Sequence, residues 1–279
     1  MGNVKLIAFD LDDTLFNTKK EITPETFNAL EKAASTGIEI VPATGRFWYA
    51  VPESIKSMKF VRYIITLNGG EIFDIKESKS LARFELSVGL TIALAKTFEE
   101  YFPEPIYDCV MDGKGFMNQK CFDKIPEHMI NEWQTKLVRD FRTPVDDLPK
   151  LIAEKNTGGQ KMQIYTLDKE LRENLLKALP IVFPKALFTS AIKNNIEINA
   201  LSANKGNGLK FIAEHLNIPL ENTLAFGDGL NDIELIKTAG TGVAMENACD
   251  ELKSVADYIT LSCNDNGVAE GIKKFCFTL

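Results

Sequence analysis

The sequence predicts an α/β protein with a Rossmann-like, doubly wound parallel-sheet core and an inserted α+β domain. Three observations lead there. Short apolar runs alternate with helical stretches at both ends of the chain, the rhythm of βαβ units. Several of those runs stop at acidic or glycine-rich turns, as buried parallel strands do. The middle breaks the rhythm with paired helical stretches and alternating strand-like runs.

Val4 to Phe9 is the first apolar run, and it ends at acidic residues. Thr23-Pro24-Glu25 opens a helix with an N-cap, a first-turn proline and an acid. Phe27, Leu30 and Ala34 follow at helical spacing, and Gly37 suits the stop. Ile38 to Val41 and Tyr63 to Thr66 are the next strands. In the last third, Lys205 to Leu216 reads as a helix and Thr223 to Phe226 as a strand ending at Gly227-Asp228. Asp232 to Thr238 is helical, Thr241 to Met245 and Asp257 to Thr260 are strands, and Val268 to Phe275 closes with a helix.

Between them, Val88–Tyr101, Glu127–Val138 and Lys169–Leu179 are helical, and Lys161 to Tyr165 is strand-like. Asp112-Gly113-Lys114-Gly115 and Asn156-Thr157-Gly158-Gly159 are turns. The division expected is a core of 1–82 and 193–279 around an insert of 83–192.

The 279 residues suffice for two domains. With 32 basic and 39 acidic residues the net charge is −7, which disfavours nucleic acid and anionic lipid as partners. Five cysteines, Cys109, Cys121, Cys249, Cys263 and Cys276, form no CxxC pair, so reduced thiols in a cytoplasmic protein are the simple reading. His128 and His215 stand near no motif, which leaves Ser-His-Asp chemistry and a histidine metal site without parts. Met1-Gly2-Asn3 leads into a strand with no signal-peptide pattern, and Leu6 stands where a myristoylation motif at Gly2 wants Ser or Thr. No apolar run approaches membrane-spanning length.

Four short segments carry chemistry. In Phe9-Asp10-Leu11-Asp12-Asp13-Thr14-Leu15, carboxylates at i and i+2 after a strand point to one side. One can act as nucleophile and the other handle protons, where their surroundings separate their pKa values. The plainer reading is an acidic capping turn. Ala43-Thr44-Gly45-Arg46 offers a hydroxyl and backbone N–H groups to a phosphate oxygen, or is an ordinary strand-to-helix turn. Lys205 opens a helix, where it either screens a cluster of negative charge or sits solvated at the surface. Gly227-Asp228-Gly229-Leu230-Asn231-Asp232 gathers hard oxygen ligands suited to Mg²⁺, or caps a helix through Asp228 or Asn231.

Taken in order, acid pair, Thr, Lys and acid cluster closely resemble the haloacid-dehalogenase-like hydrolase superfamily. Within it the chain is similar to the Cof-type phosphatases, which carry a large α/β cap after the second motif. Leu67-Asn68-Gly69-Gly70, Gly242 to Ala248, Ala256-Asp257-Tyr258 and Asn266-Gly267-Val268 extend the resemblance over essentially the whole chain. Two departures are Asp13 and Glu246, where the family more often has glycine.

The resemblance implies a Mg²⁺-dependent phosphatase. Asp10 would become an aspartyl phosphate, and Asp12 would protonate the leaving oxygen and later deprotonate water. Asp10, the Asp12 backbone carbonyl and Asp228 would hold the metal, with Asn231 and Asp232 just behind them. Asp232 alternatively orients Lys205. Thr44, the Gly45 amide and Asn231 would bind phosphate, Lys205 would shield the Asp10–phosphate pair, and the cap would select the leaving group. The implied partner is a small phosphorylated metabolite, with sugar phosphates the family expectation. Rival readings are a phosphotransferase of the phosphomannomutase type, a phospho-metabolite sensor on an inactive scaffold, and a receiver-type signalling domain.

Overall fold

The computed structural model describes residues 4–102, 106–190 and 192–277. Met1-Gly2-Asn3 lies outside them, and the reading of Gly2 with it. The chain divides into two units, one of Met1–Arg46, Val51–Ala82 and Asn204–Leu279, the other of Phe47–Ala50 and Arg83–Ala203.

The first unit is built on a five-stranded parallel sheet. Its strands are β1 (Leu6–Phe9), β2 (Glu39–Pro42), β12 (Thr223–Gly227), β13 (Thr241–Ala244) and β14 (Tyr258–Ile259), in the order β14-β13-β12-β1-β2. β1 lies between β12 and β2 and is wholly buried, which explains why Leu6-Ile7-Ala8-Phe9 is apolar without alternation. β3 (Tyr63–Thr66), β4 (Glu71–Asp74) and β5 (Lys79–Arg83) form a second sheet, with β3 and β4 antiparallel. Single parallel bridges, Ile40 to Val61 and Ala43 to Ile65, tie the β3 segment to the edge of the parallel sheet.

The helix expected after Thr23 runs over Pro24–Ser35, and the Thr23 side chain accepts the Thr26 N–H. Lys205–His215 is capped by Asn204, whose side chain accepts the N–H of Asn207. Two elements differ from expectation. Asp232 to Thr238 begins as a 3₁₀ turn, Leu230–Asp232, before the helix Ile233–Thr238. The last helix stops at Ile272 and widens into a π-turn over Lys273–Phe277.

The second unit has a six-stranded sheet of β6 (Ile106–Met111), β7 (Lys114–Asn118), β8 (Arg142–Val145), β9 (Lys161–Tyr165), β10 (Ala186–Thr189) and β11 (Asn195–Ala200), ordered β10-β11-β9-β6-β7-β8. All pairings are antiparallel except β7 with β8. Asp112 and Gly113, both at positive φ, make the hairpin turn read from the sequence. Residues of helices Val88–Tyr101, Leu148–Lys155 and Lys169–Val182 share a hydrophobic core with the sheet, centred on Phe98, Tyr107, Ile152 and Met162.

The expected insert boundary at residue 192 is corrected by the structure. β11 pairs with β9 and β10, so the insert continues to Ala203. The expected helix 127–138 is also two helices, Ile125–His128 and Glu132–Asp140. Asn131 interrupts it by accepting the Gln134 N–H at 2.9 Å, while the Gln134 side chain accepts the Ile130 N–H at 2.8 Å. These bonds start a helix where the apolar spacing had continued one.

Gly69 sets a close approach that fixes the start of the Lys205 helix. Its φ is +96°, and a Cβ there would lie 2.2 Å from the Asn204 carbonyl oxygen. Gly69→Ala should therefore destabilise the protein by about 1–3 kcal/mol. A thermal melt should show Tm lowered by several degrees, and an unchanged Tm would refute the constraint.

Candidate active site

The first unit places three of the four motifs at the carboxyl ends of its parallel strands, where open α/β sheets bind ligands. Asp10 follows β1, Thr44-Gly45-Arg46 follows β2, and Gly227-Asp228 ends β12. Lys205 reaches the same place from the first turn of its helix. It is fully buried, and its Nζ lies 2.5 Å from Asp10 Oδ1 and 2.6 Å from Asp232 Oδ1. The surface-lysine reading is therefore excluded.

Asp232 holds more than the lysine. Its Oδ2 accepts the backbone N–H groups of Asp228 and Gly229, each at 3.0 Å. With Oδ1 on Lys205, both carboxylate oxygens are engaged, so Asp232 orients the lysine and the glycine-rich loop together. Asp228 faces the cluster and accepts a 2.7 Å hydrogen bond from the Thr14 hydroxyl.

Oxygens of Asp10, Asp228 and Asp232 lie within 4.8 Å of one another, a group able to hold a metal ion. Burial raises the Asp10 carboxyl well above its ordinary range, against the pull of Lys205. Burial and the Asp232 charge push Asp228 up to about 7. Lys205 is itself held protonated, because Asp10 and Asp232 outweigh the cost of burying it. Three carboxylates against one ammonium is a site short of positive charge, and it fits a cation carried by Asp10 and Asp228.

Asp12 stands apart from this cluster. Arg46 grips it at two points, Nε to Oδ2 and Nη2 to Oδ1, both at 2.8 Å. Lys20 Nζ lies 3.4 Å from Asp12 Oδ1 and 3.1 Å from Asp13 Oδ1. Burial alone would raise the Asp12 carboxyl, but Arg46 and Lys20 hold it below its ordinary value. Asp13 has φ +62°, a left-handed conformation that glycine adopts without strain. That is a physical reason for glycine to be the commoner residue there. The extra carboxylate is matched by Lys20.

Thr44 is buried, and its hydroxyl accepts the Arg46 backbone N–H at 3.1 Å, closing the turn around Gly45. Asn231 donates to Asn68 Oδ1 at 3.1 Å, and the Asn68 N–H reaches the Thr44 carbonyl at 2.9 Å. Asn68 thus links the Thr44 and Asn231 loops. Sequence reasoning assigned no role to Arg46, Lys20, Thr14 or Asn68. Arg46 sits inside a quoted motif and Asn68 inside another, but nothing in the local sequence names the partners they meet.

This parallel sheet, with its three strand-end motifs, its buried helix-start lysine and its largely antiparallel insert, matches a known class of hydrolase. The profile of the haloacid dehalogenase-like hydrolases matches residues 7–272, and the chain belongs to that family. It is 32% identical over 275 residues to the 5-amino-6-(5-phospho-D-ribitylamino)uracil phosphatase YcsE of Bacillus subtilis (strain 168), covering 97% of this chain and 95% of that protein. It is 25% identical over 271 residues to the HMP-PP phosphatase of Serratia proteamaculans (strain 568), covering 95% and 93%. A solved haloacid dehalogenase-like hydrolase from B. subtilis superposes with TM-score 0.84 at 27% identity, over 98% of this chain and all of that one. A sugar phosphatase of subclass IIB superposes with TM-score 0.80 at 25% identity, over 98% and 99%. The chain is a phosphatase of this superfamily. Among the described residues, no helix is long and apolar enough to cross a membrane.

The raised Asp228 pKa has a measurable consequence. Metal-free folded protein protonates Asp228 near pH 7, whereas an unfolded chain does so near about 4. The folded state therefore binds the extra proton between those values. This group's contribution is greatest at low pH and is lost as pH rises through 7. Tm of metal-free protein should fall from pH 5 to 8, and Asp228→Asn should flatten that slope. An identical slope in the variant would exclude Asp228 as its source.

Proposed function

We propose that the chain hydrolyses a small phosphorylated metabolite, a sugar phosphate or one with a similar alcohol leaving group, through an aspartyl phosphate on Asp10. The observation that carries this reading is the buried Lys205 bridging Asp10 and Asp232 beside Asp228. An ammonium so placed offsets the charge of a nucleophilic carboxylate and of the phosphoryl group it attacks.

An Asp10 oxygen attacks phosphorus, and the bond from phosphorus to the leaving oxygen breaks. Asp12 supplies the proton with which that oxygen departs as an alcohol. Water then attacks the aspartyl phosphate and gives a proton to Asp12, which regenerates Asp10 and frees phosphate. The Thr44 hydroxyl and the Gly45 N–H hold phosphoryl oxygens, and Asn231 stiffens the neighbouring loop through Asn68. Asp10, Asp228 and the Asp12 backbone carbonyl would hold Mg²⁺, which when bound neutralises the repulsion between carboxylate and phosphate. Free cysteines throughout the described chain support a cytosolic setting.

The relatives' named substrates, a phospho-ribitylamino-uracil and HMP-PP, support a small-metabolite substrate. A phosphate-release screen over sugar phosphates and related esters tests the assignment. Activity should vanish with EDTA and return with Mg²⁺, and Ca²⁺ should restore it poorly because its coordination is larger and looser. Asp10→Asn should lose roughly 10⁴-fold or more in kcat while remaining folded. Beryllofluoride should mark Asp10. An active Asp10→Asn variant, or an adduct on another residue, would sink the mechanism.

A further inference from the structure

Asp12 must reach the leaving oxygen in the first step, yet in this structure both of its oxygens are already held. Both of its oxygens lie in the fork of one guanidinium, at 2.8 Å each. A two-point bond of this kind fixes orientation as well as distance. Lys20 adds a third contact to Oδ1 and is itself anchored by Asp13. The Arg46 side chain is only 15% exposed, so water weakens the grip little.

Arg46 is also the second residue after Thr44, and its N–H is bonded to the Thr44 hydroxyl. The guanidinium thus springs from the very turn assigned to the phosphoryl oxygens. A planar guanidinium fork fits carboxylate and phosphate equally well. A phosphoryl dianion carries more charge than Asp12 and arrives within the arginine's reach, so the two anions compete for one cation.

We propose that Arg46 exchanges partners during the reaction. It holds Asp12 in the empty site and moves to the substrate's phosphoryl oxygens on binding, which frees Asp12 to turn toward the leaving oxygen. Lys20 keeps a single-point hold that permits the turn. When phosphate leaves, Arg46 returns to Asp12. Arg46 is thereby a positioning residue for Asp12 and a binding residue for the phosphoryl group. The assignment rests on Asp12 being the proton carrier.

The test is calorimetric titration of inorganic phosphate into Mg²⁺-loaded protein. Arg46→Lys and Arg46→Gln should weaken phosphate roughly 10–100-fold, the worth of a lost charge-assisted contact. Asp12→Asn should tighten phosphate, because it removes the competitor, and should tighten it more when Arg46 is present than in the Arg46→Gln background. Unchanged phosphate affinity in a folded Arg46→Lys protein would overturn the exchange. So would equal tightening by Asp12→Asn in both backgrounds, which would reduce the effect to removal of a nearby charge. The underlying role of Asp12 is checked separately. Asp12→Asn should lower kcat/KM far more for a sugar phosphate than for p-nitrophenyl phosphate, whose leaving group needs no proton. Equal losses there would refute the proton carrier while leaving the phosphate titrations to decide on Arg46.

Discussion

The first unit depends on one buried cation. Lys205 has no exposed surface, and an ammonium in that position is tolerable only with its partners in place. Those partners come from far along the chain. Asp10 is 195 residues away and Asp232 is 27. Their contacts join the end of β1, the first turn of the Lys205 helix and the loop after β12. Asp232 then spends its second oxygen on two amides of that loop, so the side chain that fixes the lysine also shapes the backbone carrying Asp228. Removing any member leaves a charge without its counterpart in a dry place, which makes the cluster cooperative rather than a sum of pairs.

Much of the fold was legible because local signals agreed with one another. Thr23-Pro24-Glu25 and the apolar spacing after it act within one turn, and the helix begins at Pro24 as read. The parallel strands announce themselves as unbroken apolar runs because both faces of β1 are covered. What failed was non-local. The expected insert ended at 192, but β11 lies beyond that boundary and its register lies with β9 and β10. Pairing partners are not written in a strand's own residues. The break at Asn131 was missed for the opposite reason, since one local side-chain cap starts a new helix inside a stretch read as a single one.

The site divides along the same line. Asp10, Asp12, Thr44, Lys205 and Asp228 were legible because each sits in a short motif at a strand end or a helix start. The contacts between those segments were not. Arg46 was visible as the last residue of a motif, but its grip on Asp12 spans 34 residues. Thr14 reaches Asp228 across 214. Asp13 looked like an added charge beside the site, whereas its left-handed backbone and its pairing with Lys20 appear only in three dimensions.

The charges fall into two neighbourhoods of different balance. Around Asp12 and Asp13, two carboxylates meet Arg46 and Lys20, and the neighbourhood is neutral as it stands. Around Asp10, Asp228 and Asp232, Lys205 answers three carboxyl groups, and burial raises the pKa of Asp10 and of Asp228. A bound cation would reduce that excess of acidic groups. Burial and the neighbouring Asp232 charge lift Asp228 toward neutrality, with Thr14 and Lys205 pulling the other way. The Arg46 guanidinium, already paired with Asp12, is a further cation whose field reaches Asp10. A neutral neighbourhood therefore stands beside a deficient one, and an incoming anion would feel the cations of both.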